Sequence, residues 1–205
     1  MIVKESSLKK TVISILFICI SINLFADVIY IDRFNYLDKD NKQRSFSLFY
    51  RTDDSMFTFS TINYSDSFYA FDFTLDYADA LRKGIEKYET WKVIAKENSV
   101  SVRKEIPNSS YSVNVHWRSP SKIIRFYDTS VCLEAHIKPE SATLSLVIKG
   151  KLYNSIFLDD LYFTFPNEDE VQRFYNALSP DTLNSKIIKE YENKQKIQAI
   201  DDLFQ

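Results

Sequence analysis

Glycine is scarce in this sequence: Gly84 and Gly150 are the two examples among 205 residues. Phosphate-cradling loops and dinucleotide-binding turns need several glycines, because the backbone must approach the phosphates closely and adopt positive φ angles. No G-x-G-x-x-G turn, Walker A loop or G-x-S-x-G nucleophile elbow can be drawn from two isolated glycines. The sequence therefore excludes nucleotide-dependent chemistry of these types and α/β-hydrolase chemistry.

Cysteine is equally scarce, with Cys19 and Cys132 the two examples. Cys19 lies in an N-terminal apolar run, so a chain that loses this run retains Cys132 alone. A single thiol cannot form an intramolecular disulfide, even in a compartment that permits one. Stability must therefore come from packing, and the sequence supplies 13 Tyr, 16 Phe and 2 Trp for that purpose.

The N-terminus carries a long hydrophobic run. Three lysines precede the apolar residues 11–26, and a charged, alternating segment starts at Asp27. A positive n-region, a hydrophobic h-region and a small residue at the cut site, here Ala26, are the layout of a secretory signal peptide. The sequence predicts a signal peptide over residues 1–26 and an exported protein, periplasmic or extracellular.

Two alternatives to cleavage are retention and lipidation. Leu24 is large at the −3 position, where a small residue is usual, and this favours retention as a membrane anchor. The apolar run is, however, shorter than the roughly 20 residues of a membrane-spanning helix. Cys19 allows a lipoprotein interpretation, but Ile18 precedes it where a small residue is expected, and residues 20–25 are still apolar. Cleavage is the favoured interpretation, and membrane contact is expected only through residues 11–26, if they are retained.

An excess of one charge sign is also missing. Residues 1–26 hold three Lys and one Glu, so the rest of the chain has 23 basic and 27 acidic residues and a formal charge of −4. This small net negative charge, made up of many charges of both signs, does not indicate the basic surface that binds nucleic acid or an anionic lipid surface. The sequence therefore predicts no nucleic-acid partner.

The first half of the remaining chain is predicted to form strands followed by one long helix. Its β-rich runs are separated by polar turns, and their apolar residues recur at every second position. These runs are Val28–Tyr36, Arg44–Tyr50, Met56–Ile62 and Phe68–Phe73. From Leu75 to Ala95 the apolar residues recur in steps of three and four, which predicts a helix that ends near Asn98.

The second half is predicted to contain further strands and two helices. The predicted strands are Val100–Ile106, Tyr111–Arg118, Lys122–Tyr127, Val131–Lys138, Ser141–Lys149 and Ile156–Phe165. Asn167 can cap a helix over Glu168–Leu178. Ser179 and Pro180 are expected to break it before a last helix over Asp181–Phe204.

Strands that occur in blocks predict the α+β class. We expect a predominantly antiparallel sheet of about nine or ten strands, with one long mid-chain helix and two C-terminal helices packed on one face. The expected domains are the signal peptide 1–26, one α+β domain over residues 27–180 and a C-terminal helix over 181–205. The shared order of strands and then a helix suggests two similar halves, 27–98 and 99–180, although ordinary packing at strand-to-helix junctions also explains it.

One group of side chains is a candidate metal site. In one predicted strand, Cys132, Glu134 and His136 alternate with apolar residues, so these three side chains would share a face. His116 lies on the polar side of an earlier predicted strand, and if the two strands are neighbours the two histidines could approach each other. Thiolate, carboxylate and imidazole groups suit zinc and similar metals. No spaced motif such as H-E-x-x-H accompanies them, and an ordinary polar sheet face is the alternative.

Aromatic side chains near strand ends and on the last helix are the candidate partner-binding residues. They are Trp117, Tyr127, Tyr191 and Phe204. Exposed aromatics interspersed with arginine are typical of protein or glycan contact surfaces. The alternative is that these side chains pack in the core, as aromatic residues of a sheet commonly do.

Together these observations favour an exported, non-catalytic binding or accessory protein of the bacterial cell envelope. Its expected partner is an envelope protein or a glycan. No cofactor is predicted, since no cofactor motif can be drawn. One alternative is a small metal-dependent enzyme that uses the histidine, glutamate and cysteine group, and another is a structural component of the envelope.

Overall fold

The fold is described by a computed structural model over residues 28–62, 68–119, 122–153 and 156–201. The predicted signal peptide with its Cys19 lies outside these ranges, as does Phe204 at the end of the last predicted helix. Within these ranges, no helix combines the length and the apolar character needed to cross a membrane.

The chain is an α+β protein whose described part contains eleven strands and three helices. The strands are β1 (Val28–Leu37), β2 (Gln43–Arg51), β3 (Met56–Ile62), β4 (Phe68–Thr74), β5 (Val102–Glu105), β6 (Tyr111–Ser119), β7 (Lys122–Lys138), β8 (Ser141–Ile148), β9 (Lys151–Tyr153), β10 (Ile156–Leu158) and β11 (Leu161–Thr164). The helices are α1 (Leu75–Asn98), α2 (Glu168–Ala177) and α3 (Pro180–Asp201). These elements follow the predicted order of strand blocks and helices.

Eight of the strands close into an antiparallel barrel, in the order β7-β6-β4-β3-β2-β1-β11-β8 and back to β7. β5 adds an extra strand beside β7, and β9 and β10 form a separate two-stranded hairpin. The sequence predicts an antiparallel sheet with helices on one face, and the closure of that sheet is the main difference. Alternating patterns specify which side chains face inward, but they do not specify whether the outermost strands meet.

Three predicted strands are divided differently in the structure, and one strand is not predicted. The predicted strands 122–127 and 131–138 form one continuous strand, β7, because a register shift between Val113 and Val115 of β6 keeps both strands paired around this point. The predicted strand 156–165 is instead divided into β10 and β11. β9 lies in a segment for which no strand is predicted.

Aromatic side chains fill the core and join the barrel to α2. The ring centroid of Phe46 lies 4.4 Å from that of Phe59 and 5.7 Å from that of Phe174 on α2. Fully buried phenylalanines occur at alternating positions in the first four strands: Phe34, Phe46, Phe57, Phe59, Phe71 and Phe73. Ring pairs of this kind contribute about 0.5–1.5 kcal/mol each beyond the area that they bury. Packing thus provides the stability that a disulfide would provide in other small domains.

α1 begins and ends at residues that satisfy its terminal backbone groups. The Thr74 hydroxyl accepts a hydrogen bond from the Tyr77 backbone N–H at 3.3 Å, as an N-cap does. At the other end, Ser99 adopts a left-handed conformation with φ 52°, and its N–H donates to carbonyl oxygens of the last turn. The helix therefore spans the residues that the apolar periodicity predicts.

α1 crosses β7 at Gly84, where a side chain has no room. A Cβ atom at Gly84 would lie 2.8 Å from Leu133 Cδ1 and 3.4 Å from Ser109 Cβ. On the same side of the helix, the buried Tyr77 hydroxyl lies 3.0 Å from the backbone oxygen of Ser109 and 2.8 Å from that of Val131. α1 is thereby fixed both to β7 and to the loop that precedes β6.

The boundaries of the C-terminal helices differ slightly from the prediction. α2 is capped by the side chain of Asn167 and ends at Ala177, one residue earlier than expected. α3 begins at Pro180, also one residue early. Proline is tolerated in a first helical turn because its missing N–H would have no partner there, and Ser179 Oγ accepts from the Thr182 N–H at 3.2 Å.

The barrel is closed between β1 and β11 at one residue pair, Leu37 opposite Thr164. Earlier in β1, α2 lies beside the strand. The Arg173 guanidinium donates to the backbone oxygen of Arg33 at 2.9 Å and to Asp32 Oδ2 at 2.9 Å. This seam therefore depends on side chains of α2 as well as on strand pairing.

Polar contacts join α1 to α2. Lys92 Nζ lies 2.8 Å from Glu89 Oε2 and also contacts the carboxylate of Glu168 at the start of α2. Burial raises the pKa of Glu89, and so does the neighbouring Glu168 carboxyl. Burial would also raise the pKa of Glu168, but hydrogen bonds from Glu89 and Lys92 hold that pKa below its usual value. Glu168 therefore loses its proton at a lower pH than Glu89 does.

Candidate functional site

The two histidines lie on neighbouring strands but far apart. His116 on β6 lies opposite Arg125 on β7, whereas His136 is eleven residues farther along β7, opposite Thr143 on β8. At about 3.3 Å per residue, the separation along β7 is about 36 Å. Zinc–nitrogen bonds are about 2.1 Å long, so two imidazoles at this separation cannot share a metal. β6 and β7 are neighbours, but their register does not bring the histidines together.

Cys132, Glu134 and His136 lie on one face of β7 in very different surroundings. Cys132 is fully buried, and burial raises the pKa of its thiol to about 12, so the thiol stays protonated. Glu134 is held by Arg103 Nε at 3.4 Å and by Lys149 Nζ at 3.9 Å. His136 is exposed. Among the described residues, no three His, Cys, Asp or Glu side chains lie close enough to hold a metal ion.

The predicted partner-binding aromatics differ in their exposure. Tyr191 is 52% exposed and Tyr127 is 42% exposed, so both side chains are accessible at the surface. Trp117 packs against the core, because it shares the inward face of β6 with the buried Val113 and Val115. Its side chain is therefore half-buried.

A basic face with an exposed apolar centre lies on β6 and the first half of β7. Strand pairing places Arg118 opposite Ile123 and His116 opposite Arg125. Tyr127 is two residues beyond Arg125, and the Arg125 guanidinium carbon lies 6.0 Å from the Tyr127 ring centroid. Ile123 is 74% exposed.

Ile123 is a surface residue that is not predicted from the sequence. Its signal is present in the alternation of Ile123, Arg125 and Tyr127, which places all three on one side of a strand. Leu152 and Phe157 are also missed: they are 64% and 65% exposed and lie directly opposite each other in the β9–β10 hairpin. This pair is missed because residues 156–165 are predicted to form one continuous strand, and no strand is predicted at Leu152.

α3 is packed on the barrel at its start and exposed farther along. Leu183 is 5% exposed and Ile187 packs against the core. Tyr191 continues the same apolar stripe, since it follows Ile187 by four residues. From Tyr191 to Ile197 every residue is exposed, and Ile197 itself is 60% exposed. The stripe is therefore buried at its start and open to solvent at its end.

A groove of about 410 Å³ lies between the first half of α1 and the loop before β6. Its lining includes Asp76, Asp79, Lys83 and Asn108. Lys83 Nζ lies 2.7 Å from Asp79 Oδ2, and both side chains are exposed. Because charges of both signs line the groove and pair with each other, it favours neither an anionic nor a cationic ligand.

Comparison of this chain with protein-family models, with curated proteins and with solved structures gives no match.

Proposed function

We propose that this chain is an exported, non-catalytic binding or accessory protein of the bacterial cell envelope, and that it recognises a partner protein through the exposed end of α3. The observation that carries the proposal is the apolar stripe of that helix. It is buried at Leu183, half-buried at Ile187 and exposed at Tyr191. The layout of a signal peptide over residues 1–26 supports export.

The exposed part of α3 gains little stability from the barrel. A helix of 22 residues is about 33 Å long, and the residues from Tyr191 to Ile197 are all exposed. Helical segments without tertiary contacts are marginally stable in water, because propagation adds little free energy per residue. A partner that covers Tyr191 and Ile197 would supply the missing apolar contact, in the manner of a helix bound in a groove.

The chemistry-bearing side chains support a binding role over a catalytic one. The Cys132 thiol is buried with a raised pKa, which removes the thiolate that nucleophilic chemistry needs. Glu134 is engaged by Arg103 and Lys149. His116 lies on β6 opposite Arg125, which precedes Cys132 by seven residues and Glu134 by nine residues along β7. No pair among them has the geometry of a nucleophile with its base.

Capture from envelope extract tests the α3 interface. The chain starting at Asp27 is immobilised in wild-type form and as the double variant Tyr191→Ala/Ile197→Ala. The matched control is Glu192→Ala/Lys196→Ala, which changes exposed residues on the opposite side of the helix. We expect the Tyr191/Ile197 variant to lose at least 90% of a captured protein, and the control to retain it. Equal capture by all three chains, with equal helix content by circular dichroism, would contradict the proposed interface.

The N-terminus of the accumulated protein tests export. Mass spectrometry of the protein from fractionated cells should find a chain that begins at Asp27, in the periplasmic or extracellular fraction. A chain that begins at Met1 in the membrane fraction would instead indicate a retained anchor. A chain that begins at a lipidated Cys19 would indicate a lipoprotein.

A further inference from the structure

β5 is an edge strand with one unpaired side. It lies at the end of the strand order and pairs with β7. Ile106, which follows β5, donates its N–H to the Leu133 oxygen of β7 at 2.8 Å. Because bonded groups alternate along an antiparallel pair, Lys104 also turns its N–H and C=O towards β7, whereas Arg103 and Glu105 turn theirs away. Within the described ranges, no group bonds this outward side of β5.

The Trp91 ring of α1 joins that helix to β5 and gathers two cations. Lys104 Nζ lies 4.6 Å from the ring centroid, and Lys87 Nζ lies 5.8 Å from it. Neither lysine forms an ion pair with a carboxylate in the part of the chain that the structure describes. Asp79, one turn earlier on α1 than Lys83, is paired with that lysine at 2.7 Å. The edge of β5 therefore carries unpaired backbone groups beside two unpaired cations.

A strand added to this edge would bring one side chain directly to Lys104. On its outward side Lys104 occupies a non-hydrogen-bonded position, where opposite Cα atoms lie about 4.5 Å apart and side chains are closest. A carboxylate at this position would meet Lys104, with Lys87 at the same indole ring. Val102 lies on the same face as Lys104 and is half-buried, which favours an apolar residue opposite it. The matching strand therefore has the pattern acid-x-apolar.

A second copy of this chain fits the edge less well. The self-pairing that joins the most residues of two β5 strands places Lys104 opposite its own copy, and like charges directly opposite are destabilising. Arg103 would face Glu105 in that register. Both are already engaged, because Arg103 lies 3.4 Å from Glu134 and Glu105 lies 3.9 Å from Lys149. A lysine on a short edge strand opposes such pairing, whereas an acidic strand is attracted by the same lysine.

We propose that β5 binds an extended segment of another protein as an added antiparallel strand, with an acidic side chain opposite Lys104 and an apolar one opposite Val102. Strand addition gains affinity from main-chain hydrogen bonds and specificity from alternate side chains. Arg103 and Glu105 supply the main-chain donors and acceptors, and Lys104 with Lys87 selects the acid. The site uses no residue of α3, so it is tested separately from the α3 interface.

A matched pair of edge variants tests the backbone part of the proposal. The probe is the fluorescein-labelled peptide Ser-Thr-Glu-Thr-Val-Thr-Ser, followed by fluorescence anisotropy as the chain starting at Asp27 is added at about 50 mM salt. Arg103→Pro and Arg103→Ala both remove the guanidinium, but only proline also removes the outward N–H, and this costs β5 no bond to β7. We expect Arg103→Pro to bind the peptide at least tenfold more weakly than Arg103→Ala.

A second pair of variants tests the charge. Lys87→Gln/Lys104→Gln should weaken peptide binding at least fivefold. The control, Lys39→Gln/Lys42→Gln, removes two exposed cations from the turn between β1 and β2 and should change affinity less than twofold. A peptide with Gln in place of Glu should bind the wild type as weakly as the Glu peptide binds the Lys87/Lys104 variant.

Methylated peptides separate strand addition from simple charge attraction. In the proposed register the N–H of the threonine after the glutamate points at β5, and the N–H of the valine points away. N-methylation of that threonine should weaken binding at least tenfold, whereas N-methylation of the valine should weaken it less than threefold. Equal losses from the two peptides would contradict strand addition.

Two other outcomes would also overturn the proposal. One is the absence of saturable peptide binding up to about 1 mM protein, or equal affinity of Arg103→Pro and Arg103→Ala. The other is a wild-type dimer in sedimentation that Arg103→Pro dissociates, without peptide binding, which would assign the edge to a second copy. The Tyr191→Ala/Ile197→Ala chain should bind the peptide as the wild type does. Unchanged melting temperatures of the variants exclude misfolding as the cause of a loss.

Discussion

Replacing Gly84 with alanine is expected to destabilise this protein by about 1 kcal/mol, although alanine is the better helix former. In an exposed helix the same change would stabilise by about 1 kcal/mol. At Gly84, however, the new Cβ would lie 2.8 Å from Leu133 Cδ1, and Leu133 is fully buried with little freedom to rotate away. Overpacking of this kind typically costs about 1–3 kcal/mol, which exceeds the gain in helix propensity.

A second substitution should reverse the sign of this effect. Leu133→Ala alone removes a buried side chain and is expected to cost about 2–5 kcal/mol. In the Leu133→Ala background the space beside α1 is open, so Gly84→Ala should now stabilise by about 1 kcal/mol through helix propensity alone. The double-mutant cycle therefore predicts a coupling of about 2 kcal/mol between the two positions.

Urea unfolding, followed by circular dichroism and tryptophan fluorescence, measures all four free energies. The slope of the unfolding free energy against urea should stay constant, so that shifts in the midpoint report stability. Thr90→Ala, at an exposed position on the same helix, is the control and should stabilise by a few tenths of a kcal/mol. If Gly84→Ala stabilised the protein in both backgrounds, α1 could not cross β7 at contact distance, and the reasoning would fail.

Three further predictions concern buried and titrating groups. Tyr77→Phe should destabilise by about 1–2 kcal/mol in the same urea assay, because it removes the one O–H that the buried carbonyl oxygens of Ser109 and Val131 share, and an unchanged midpoint would contradict that bond. The raised pKa of Glu89 favours folding below its unfolded pKa, and this stability is lost as pH rises through the folded pKa. Glu89→Gln should therefore reduce the loss of stability that occurs as pH rises between the unfolded and folded pKa of Glu89. Glu168 has the opposite dependence: its lowered pKa contributes stability above its unfolded pKa, and this stability is lost as pH falls through its folded pKa. Cys132 should not react with a thiol reagent at pH 8 until the protein is unfolded in urea, and rapid labelling of the native chain would refute its burial.

The period of the apolar residues predicts most elements because each strand and helix has one buried side. Phe68–Thr74 and Leu75–Asn98 change from period 2 to period 3.6 at Thr74, and the structure changes from strand to helix at the same residue. Pro180 lies at the predicted break and is also the first residue of α3, since a proline that cannot continue one helix can begin the next. Barrel closure depends on pairing between strands that are far apart in the sequence, and the alternation of apolar residues within one strand does not predict that pairing.

For the candidate metal residues too, the sequence predicts which side chains share a face of one strand but not how far apart residues on different strands lie. Alternation correctly places Cys132, Glu134 and His136 on one face, but the distance from His116 to His136 depends on the register in which β6 pairs with β7. The burial of Cys132 could not be read from alternation either. The burial of Cys132 depends on the parts of the chain that pack over this face of β7.

The single residue pair at the barrel seam has a consequence during synthesis. Thr164 follows its partner Leu37 by 127 residues. At a translation rate of about 5–20 residues per second, roughly 6–25 s therefore pass between the synthesis of Leu37 and that of Thr164. Throughout this interval the edge of β1 is uncovered and can pair with another chain. Arg173 on α2, which contacts this edge in the folded protein, arrives later still. The first strand is therefore a segment at which another chain can pair until almost all of the barrel has been synthesised.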